Sequence, residues 1–277
     1  MIGCGKNQVL KKENVNETNQ EQATENKETA EEQQENTNND TEEQSQSQID
    51  YINIAPEEVK IPILMYHSIS DEDPSNNLLV PPAMFEEQMA WLEANNFTAM
   101  NMDEALEAMR TGKVPKRPVV ITFDDGYANN YTSAFPSLKN HKLKATFFVI
   151  TDGVDNGYYM SSDNLKEMQD AGMSIENHTA NHLELNNLSK TDAYESIKRA
   201  QDYLRNVIGS DGNYLCYPVG KYNDETIQIE EELGIKAAVT TQGGFASIND
   251  GLHTLKRVRI SPMSIEGFAS IFSEYIN

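Results

Sequence analysis

The sequence predicts an α/β fold in which a disordered polar tail precedes a (β/α)7 barrel with an incomplete strand set, and three observations predict it. Composition breaks at residue 50, short β-rich runs alternate with helical patterns beyond it, and no glycine-rich dinucleotide fingerprint opens any of the helices. The first observation sets the domain organisation. Residues 1–50 contain no aromatic residue and are dominated by Gln, Asn, Glu and Thr, so they cannot bury enough apolar surface to offset the entropy of ordering. The remainder, 51–277, suits one catalytic domain, because single barrel domains commonly run to about 250 residues.

Charge bounds the partners. The chain carries −22 at neutral pH, and the first fifty residues alone hold twelve acidic residues against four lysines. Nucleic acid and anionic lipid would be repelled by both parts, whereas a polymer that becomes cationic when its amines are freed would not. The same acidity also simply confers solubility. Only two cysteines occur, Cys4 and Cys216, which excludes a disulfide framework. Met1-Ile2-Gly3-Cys4-Gly5 resembles the end of a bacterial lipoprotein signal in which the Cys is lipidated, and the polar tail would then act as a tether. No other segment approaches the ~20 apolar residues of a membrane span.

Seven strands are predicted, at 61–66, 119–123, 145–150, 173–176, 214–217, 236–240 and 255–260. Helical patterns are predicted at 82–95, 103–110, 128–141, 162–171, 190–208, 224–233 and 264–275. The spacing of Ala193, Ile197, Ala200, Leu204 and Val207 follows the helical period. Ser189 is placed as a cap before that helix, and Gly172, Gly209 and Gly234 follow the ends of three. Seven strands alternating with helices favour a barrel with an incomplete strand set over an open doubly wound sheet. In either architecture the chemistry gathers at the carboxyl ends of the strands.

Four segments place chemistry there. Val119-Val120-Ile121-Thr122-Phe123-Asp124-Asp125-Gly126-Tyr127 is an apolar strand that runs into two carboxylates and a glycine. Adjacent strand residues point to opposite faces, but a turn at Gly126 can bring both carboxylates into one cleft, one for metal and one as a base. Read alone, Asp-Asp-Gly is also common turn chemistry. Glu176-Asn177-His178-Thr179-Ala180-Asn181-His182 offers two imidazoles four residues apart, which with a carboxylate make a facial set leaving positions open for water and substrate. Ile61-Pro62-Ile63-Leu64-Met65-Tyr66-His67 delivers a third imidazole at a strand end, which from position alone reads as a core or loop histidine. Tyr214-Leu215-Cys216-Tyr217-Pro218-Val219-Gly220 ends a strand in a loop whose backbone N–H could serve an oxyanion. His141 and His253 have no comparable placement.

Taken together, Thr122-Phe123-Asp124-Asp125-Gly126, His178-Thr179-x-x-His182 and Tyr217-Pro218-x-Gly220 resemble the polysaccharide deacetylases of the NodB-homology type, the fourth carbohydrate esterase family. The resemblance spans residues 61–275. It implies a distorted barrel of β/α units, Asp124 as general base, and Asp125, His178 and His182 as ligands of one divalent ion. Zinc is the expected ion, and the ligand set also suits nickel, cobalt or iron. Tyr217, Pro218 and Val219 become substrate or oxyanion contacts. Two departures stand out. The family's usual Arg two residues before the motif proline is Cys216 here, and the late Leu-x-His that supplies the general acid is replaced by Lys256-Arg257-Val258-Arg259-Ile260-Ser261. Such gaps resemble the branch that acts on poly-β-1,6-N-acetylglucosamine, whose early Tyr-His corresponds to Tyr66-His67 and makes His67 the candidate general acid. Arg257 or Arg259 would then supply the charge beside the base.

The function expected is metal-dependent removal of N-acetyl groups from a surface polysaccharide, by a secreted or cell-surface protein whose membrane contact runs only through a lipid at Cys4. The rivals are a peptidoglycan or chitooligosaccharide deacetylase, an O-acetyl esterase of the same fold, and an inactive glycan-binding lipoprotein.

Overall fold

The computed structural model describes residues 49–276. Cys4 and all but the end of the expected tether lie outside the described residues. Ten strands and eight α-helices alternate from there. The strands are β1 (Tyr51–Asn53), β2 (Ile63–Tyr66), β3 (Thr98–Met100), β4 (Lys113–Pro115), β5 (Pro118–Phe123), β6 (Thr146–Val149), β7 (Ser174–Asn177), β8 (Tyr214–Cys216), β9 (Ala237–Gly243) and β10 (Leu255–Arg259). The helices are α1 (Pro82–Ala94), α2 (Met102–Thr111), α3 (Phe135–Asn140), α4 (Ser162–Asp170), α5 (Lys190–Ile208), α6 (Asp224–Leu233), α7 (Ile265–Ile271) and α8 (Ser273–Ile276).

The strands run in the order β2-β10-β9-β8-β7-β6-β5, and a further β2–β5 pairing closes them into a seven-stranded parallel barrel. All seven strands expected from the sequence are in it. The distortion has a local cause. The first half of β5 pairs with β3 (Ala99 opposite Val119) and only its last residues pair with β6 (Phe123 opposite Phe147). β3 therefore occupies the edge that β6 reaches only near the top. Outside the barrel, β1 and β4 form a small antiparallel pair.

Alternation along the strands sorts their side chains into two cores. Leu64, Val119, Ile121, Phe123, Phe147, Val149 and Ile175 face outward against α1, α3, α4 and α7. Ile63, Val120, Phe148, Tyr214, Ala237, Val239 and Leu255 face inward and meet Met102, Ala105, Leu106 and Met109 of α2, which plugs the amino-terminal end. The Tyr214 hydroxyl donates to Asp103 of that helix. Asn101 caps α2 in a reciprocal box with Glu104, and Gly112 ends it at φ 76°, where a Cβ would lie 2.0 Å from the Ile54 carbonyl oxygen. Helix 128–141 was expected as one regular helix. Asn130–Ala134 instead form a wide π turn before α3, a form that recurs at functional sites.

Phe123 stacks on Phe147 at 4.6 Å between ring centres and on Tyr66 at 5.4 Å, so β2 and β5, whose ends carry the site, rest with β6 on one aromatic stack. Phe147→Ala should cost about 3–5 kcal/mol of unfolding free energy, read from denaturant titration. A loss below about 1 kcal/mol would show that the stack does not hold those strands.

Candidate active site

Every residue singled out in the sequence at a strand end, apart from the Tyr217 side chain, lies at the carboxyl-terminal mouth of the barrel. At the end of β5 the Asp124 side chain continues the inward series of Val120 and Thr122. Its neighbour would point away, but Asp125 adopts φ 74° and Gly126 φ 83°, and the Gly126 N–H closes the turn on the Asp124 carbonyl. The two carboxylates thus share one cleft. A Cβ on Gly126 would come within 2.9 Å of Val149, so the turn needs glycine for space as well as for conformation.

His178 Nε2 lies 3.2 Å and His182 Nε2 3.4 Å from Asp125 Oδ1. One donor atom from each of these three residues falls within 4.8 Å of the others. The set fits a divalent ion for a reason visible behind it. His178 donates its Nδ1–H to the Cys216 carbonyl at 2.7 Å, which fixes the tautomer and leaves the Nε2 lone pair facing Asp125. Thr179 and His182 both adopt left-handed backbone, at φ 63° and 55°. The Thr179 N–H donates to Asn177 Oδ1 and the His182 N–H to Thr179 Oγ1, which holds that bend. Burial is the first cause that lowers the pKa of His182, towards the neutral imidazole that a metal requires.

Asp124 stands apart from that set. Arg257, fully buried on β10, grips both its oxygens at 2.7 Å. The remaining guanidinium protons go to Thr240 O, Thr122 Oγ1 and Cys216 Sγ, so all five donors are used. Burial pushes the Asp124 carboxyl up, but the Arg257 charge and its hydrogen bonds prevail and hold it well below the usual carboxylate range. Cys216, pushed up by burial, is a neutral thiol. Arg259 lies at the exposed end of β10, and among the described residues it makes no contact with the base.

His67, at the end of β2, faces Asp124 with Nε2 3.9 Å from Oδ2. Burial lowers its pKa against the pull of Asp124 and Asp125. Two residues that sequence reasoning missed secure it. Asn130 Nδ2 donates to the His67 carbonyl, while Asn129 accepts from the Ile69 N–H and donates to the Ser68 hydroxyl. Both asparagines stand at the π turn, which the helical pattern did not reveal.

The loop after β8 brings Val219 to the mouth at φ 48°, 52 % exposed. A β-branched residue in that conformation is strained. Gly220 follows at φ 72° against Thr241. The Tyr217 side chain turns the other way, into the core, and donates to the His253 carbonyl. His253 binds Glu230, and His141 binds Glu86 and Glu93, all away from the cleft.

Comparison with known proteins relates the chain to polysaccharide deacetylases. The family model for polysaccharide deacetylase matches residues 111–238. A Bacillus subtilis (strain 168) protein described as a polysaccharide deacetylase, YxkH, is 40% identical over 218 residues, 78% of this chain and 76% of its own. The poly-beta-1,6-N-acetyl-D-glucosamine N-deacetylase of Staphylococcus epidermidis is 27% identical over 230 residues, 73% of this chain and 80% of that one. Among solved structures, the Streptococcus pyogenes deacetylase PplD in complex with acetate superposes with a TM-score of 0.75 at 36% identity, over 78% of this chain and 99% of that one.

Arg257→Leu would leave the Asp124 charge buried and unpaired, at a cost of about 3–5 kcal/mol at pH 7. The folded carboxyl titrates below its unfolded value of about 3.9, so the pair's contribution is present above that value and fades as pH falls through the folded one. Denaturant unfolding at pH 7 and at pH 3 should therefore show the deficit shrinking in acid. A deficit under about 1 kcal/mol at pH 7 would contradict the pairing.

Proposed function

We propose, for a chain that belongs to the polysaccharide deacetylase family, that this cleft hydrolyses the N-acetyl groups of an N-acetylglucosamine-containing surface polysaccharide, with poly-β-1,6-N-acetylglucosamine as the substrate. The observation that carries the reading is the approach of His67 to Asp124 beside the Asp125, His178 and His182 cluster. An acetamide needs a base for the attacking water and an acid for the departing amine, and this pair offers one of each at 3.9 Å. The likeness to the S. epidermidis enzyme, whose name gives that substrate, supports the same choice.

Asp125, His178 and His182 would hold one divalent ion, with Zn2+ the first choice and Ni2+, Co2+ or Fe2+ also suited. When bound, such an ion would supply polarisation of the acetyl carbonyl and a water of pKa ~7. Arg257 keeps Asp124 ionised, so Asp124 meets the attacking water as a base and takes its proton. That proton crosses from Asp124 to His67, 3.9 Å away, and His67 passes it to the amine nitrogen as the carbon–nitrogen bond breaks, which leaves both groups as they began. The Val219 N–H, presented by its left-handed backbone, donates to the oxygen that becomes negative.

Residues 1–50 serve in this reading as a tether, and Cys4 as the lipid attachment that keeps the catalytic domain at the cell surface. Among the described residues no helix is long and apolar enough to cross a membrane. The partner is the acetylated glycan, and nucleic acid is not one.

Acetate release from poly-β-1,6-N-acetylglucosamine, peptidoglycan and acetylated xylan, each with and without chelator, tests the reading. Release should be fastest from the first and should stop on chelation. His67→Ala should slow amide cleavage by ~10²-fold or more with metal content intact, and should slow activated esters far less. Preference for xylan would identify an O-acetyl esterase, preference for peptidoglycan would move the substrate, and no release from any polymer would leave a glycan-binding protein.

A further inference from the structure

Large apolar side chains are exposed at few places among the described residues, and their distribution is uneven. Four of the seven lie at residues 49–52 or at 276; the other three are Tyr158, Leu183 and Val219. Those three share the mouth of the barrel. Leu183 follows the candidate ligand His182, and Val219 is the candidate oxyanion donor. Tyr158 belongs to the loop between β6 and α4, which is bound to the segment following Asp125. Its carbonyl accepts from the Ala128 N–H, Met160 donates to the Gly126 carbonyl, and Tyr159 bridges Tyr127 in antiparallel fashion.

Three tyrosine rings lock this junction. Tyr127 and Tyr159 stack at 5.5 Å, 13° from parallel, and Tyr158 stands edge-on to both, at 5.5 and 5.1 Å. Tyr159 packs on Gly153, where a Cβ would lie 2.5 Å from the ring. Tyr158 nevertheless remains 65 % exposed. An aromatic ring held by two others has lost its rotamer freedom in advance, so covering its free surface costs little further entropy. Ligand sites combine apolar and aromatic lining with a few placed polar groups.

We propose that Tyr158 forms the wall of a glycan subsite beside the acetylated residue. Its exposed surface takes the apolar C–H face of a neighbouring sugar ring, and Leu183 and Val219 complete the rim. The consequence is selection of polymer over single sugar. This rests on the reading of the cleft as a glycan deacetylase, which is tested separately by acetate release.

The probe is a β-1,6-linked N-acetylglucosamine pentamer, with its affinity for the chelated full-length chain measured by calorimetry beside that of the monosaccharide. The pentamer should bind more tightly than the single sugar. Tyr158→Ala should weaken pentamer binding about fivefold, as loss of an aromatic contact worth about 1 kcal/mol implies, and Tyr158→Trp should retain it. Unchanged pentamer affinity in Tyr158→Ala, or equal loss in Tyr158→Trp, would overturn the subsite while acetate release by the unaltered chain left the function standing. A chain that neither binds the pentamer nor releases acetate would overturn both.

Discussion

The buried pair between Arg257 and Asp124 is the interaction on which the rest of the site depends. It joins β10 to β5 across the barrel interior and adds Thr240 of β9, Cys216 of β8 and Thr122 of β5 to one network. Burying a guanidinium and a carboxylate carries a large desolvation cost, and apolar residues of similar volume often serve a fold equally well. A pair retained at the mouth, with every guanidinium donor satisfied, is therefore better explained by what it does to Asp124 than by stability. It holds that carboxylate ionised and aimed while its neighbour Asp125 turns towards two histidines. Cys216 occupies the position where the family pattern has its arginine, and Arg257 reaches the same carboxylate from a different strand.

Strain is the second organising constraint. Among the described residues seven non-glycine residues have positive φ, and Asp125, Thr179, His182 and Val219 are four of them. Each lies in a loop that follows a barrel strand at the mouth, so the unfavourable backbone is concentrated where side chains must leave the alternation of the sheet. Such conformations persist only where the surroundings over-determine them. Here Asn177 and Thr179 do so through hydrogen bonds to the following backbone, and Gly126 and Gly220 do so by admitting Val149 and Thr241 at close range.

Much of this architecture is legible in the sequence because buried parallel strands are runs of apolar residues and helices carry caps. The helices at 190–208 and 224–233 coincide with α5 and α6, both capped by Ser189 or Asn223 and ended by Gly209 or Gly234. β3, three residues long and wedged between two helices, carries too few residues for any period to register. The choice between Arg257 and Arg259 was closed to periodicity for another reason. The two share one face of β10, and only depth in the barrel separates a buried partner of Asp124 from an exposed residue. The roles of Asn129 and Asn130 depend on a π turn, and that of Tyr158 on a long-range bridge to Tyr127; neither leaves a local pattern. The stabilising role of the Cys216 carbonyl behind His178 is a backbone contribution, invisible to any reading of side-chain types.

The division of labour between two adjacent carboxylates is the centre of this account, and metal content of two variants tests it most directly. Asp124→Asn and Asp125→Asn, each verified as folded, would be loaded with Zn2+, dialysed and analysed for bound metal. The account predicts one ion per chain in Asp124→Asn and none in Asp125→Asn. Retention of metal by Asp125→Asn together with its loss from Asp124→Asn would reverse the two roles and contradict it.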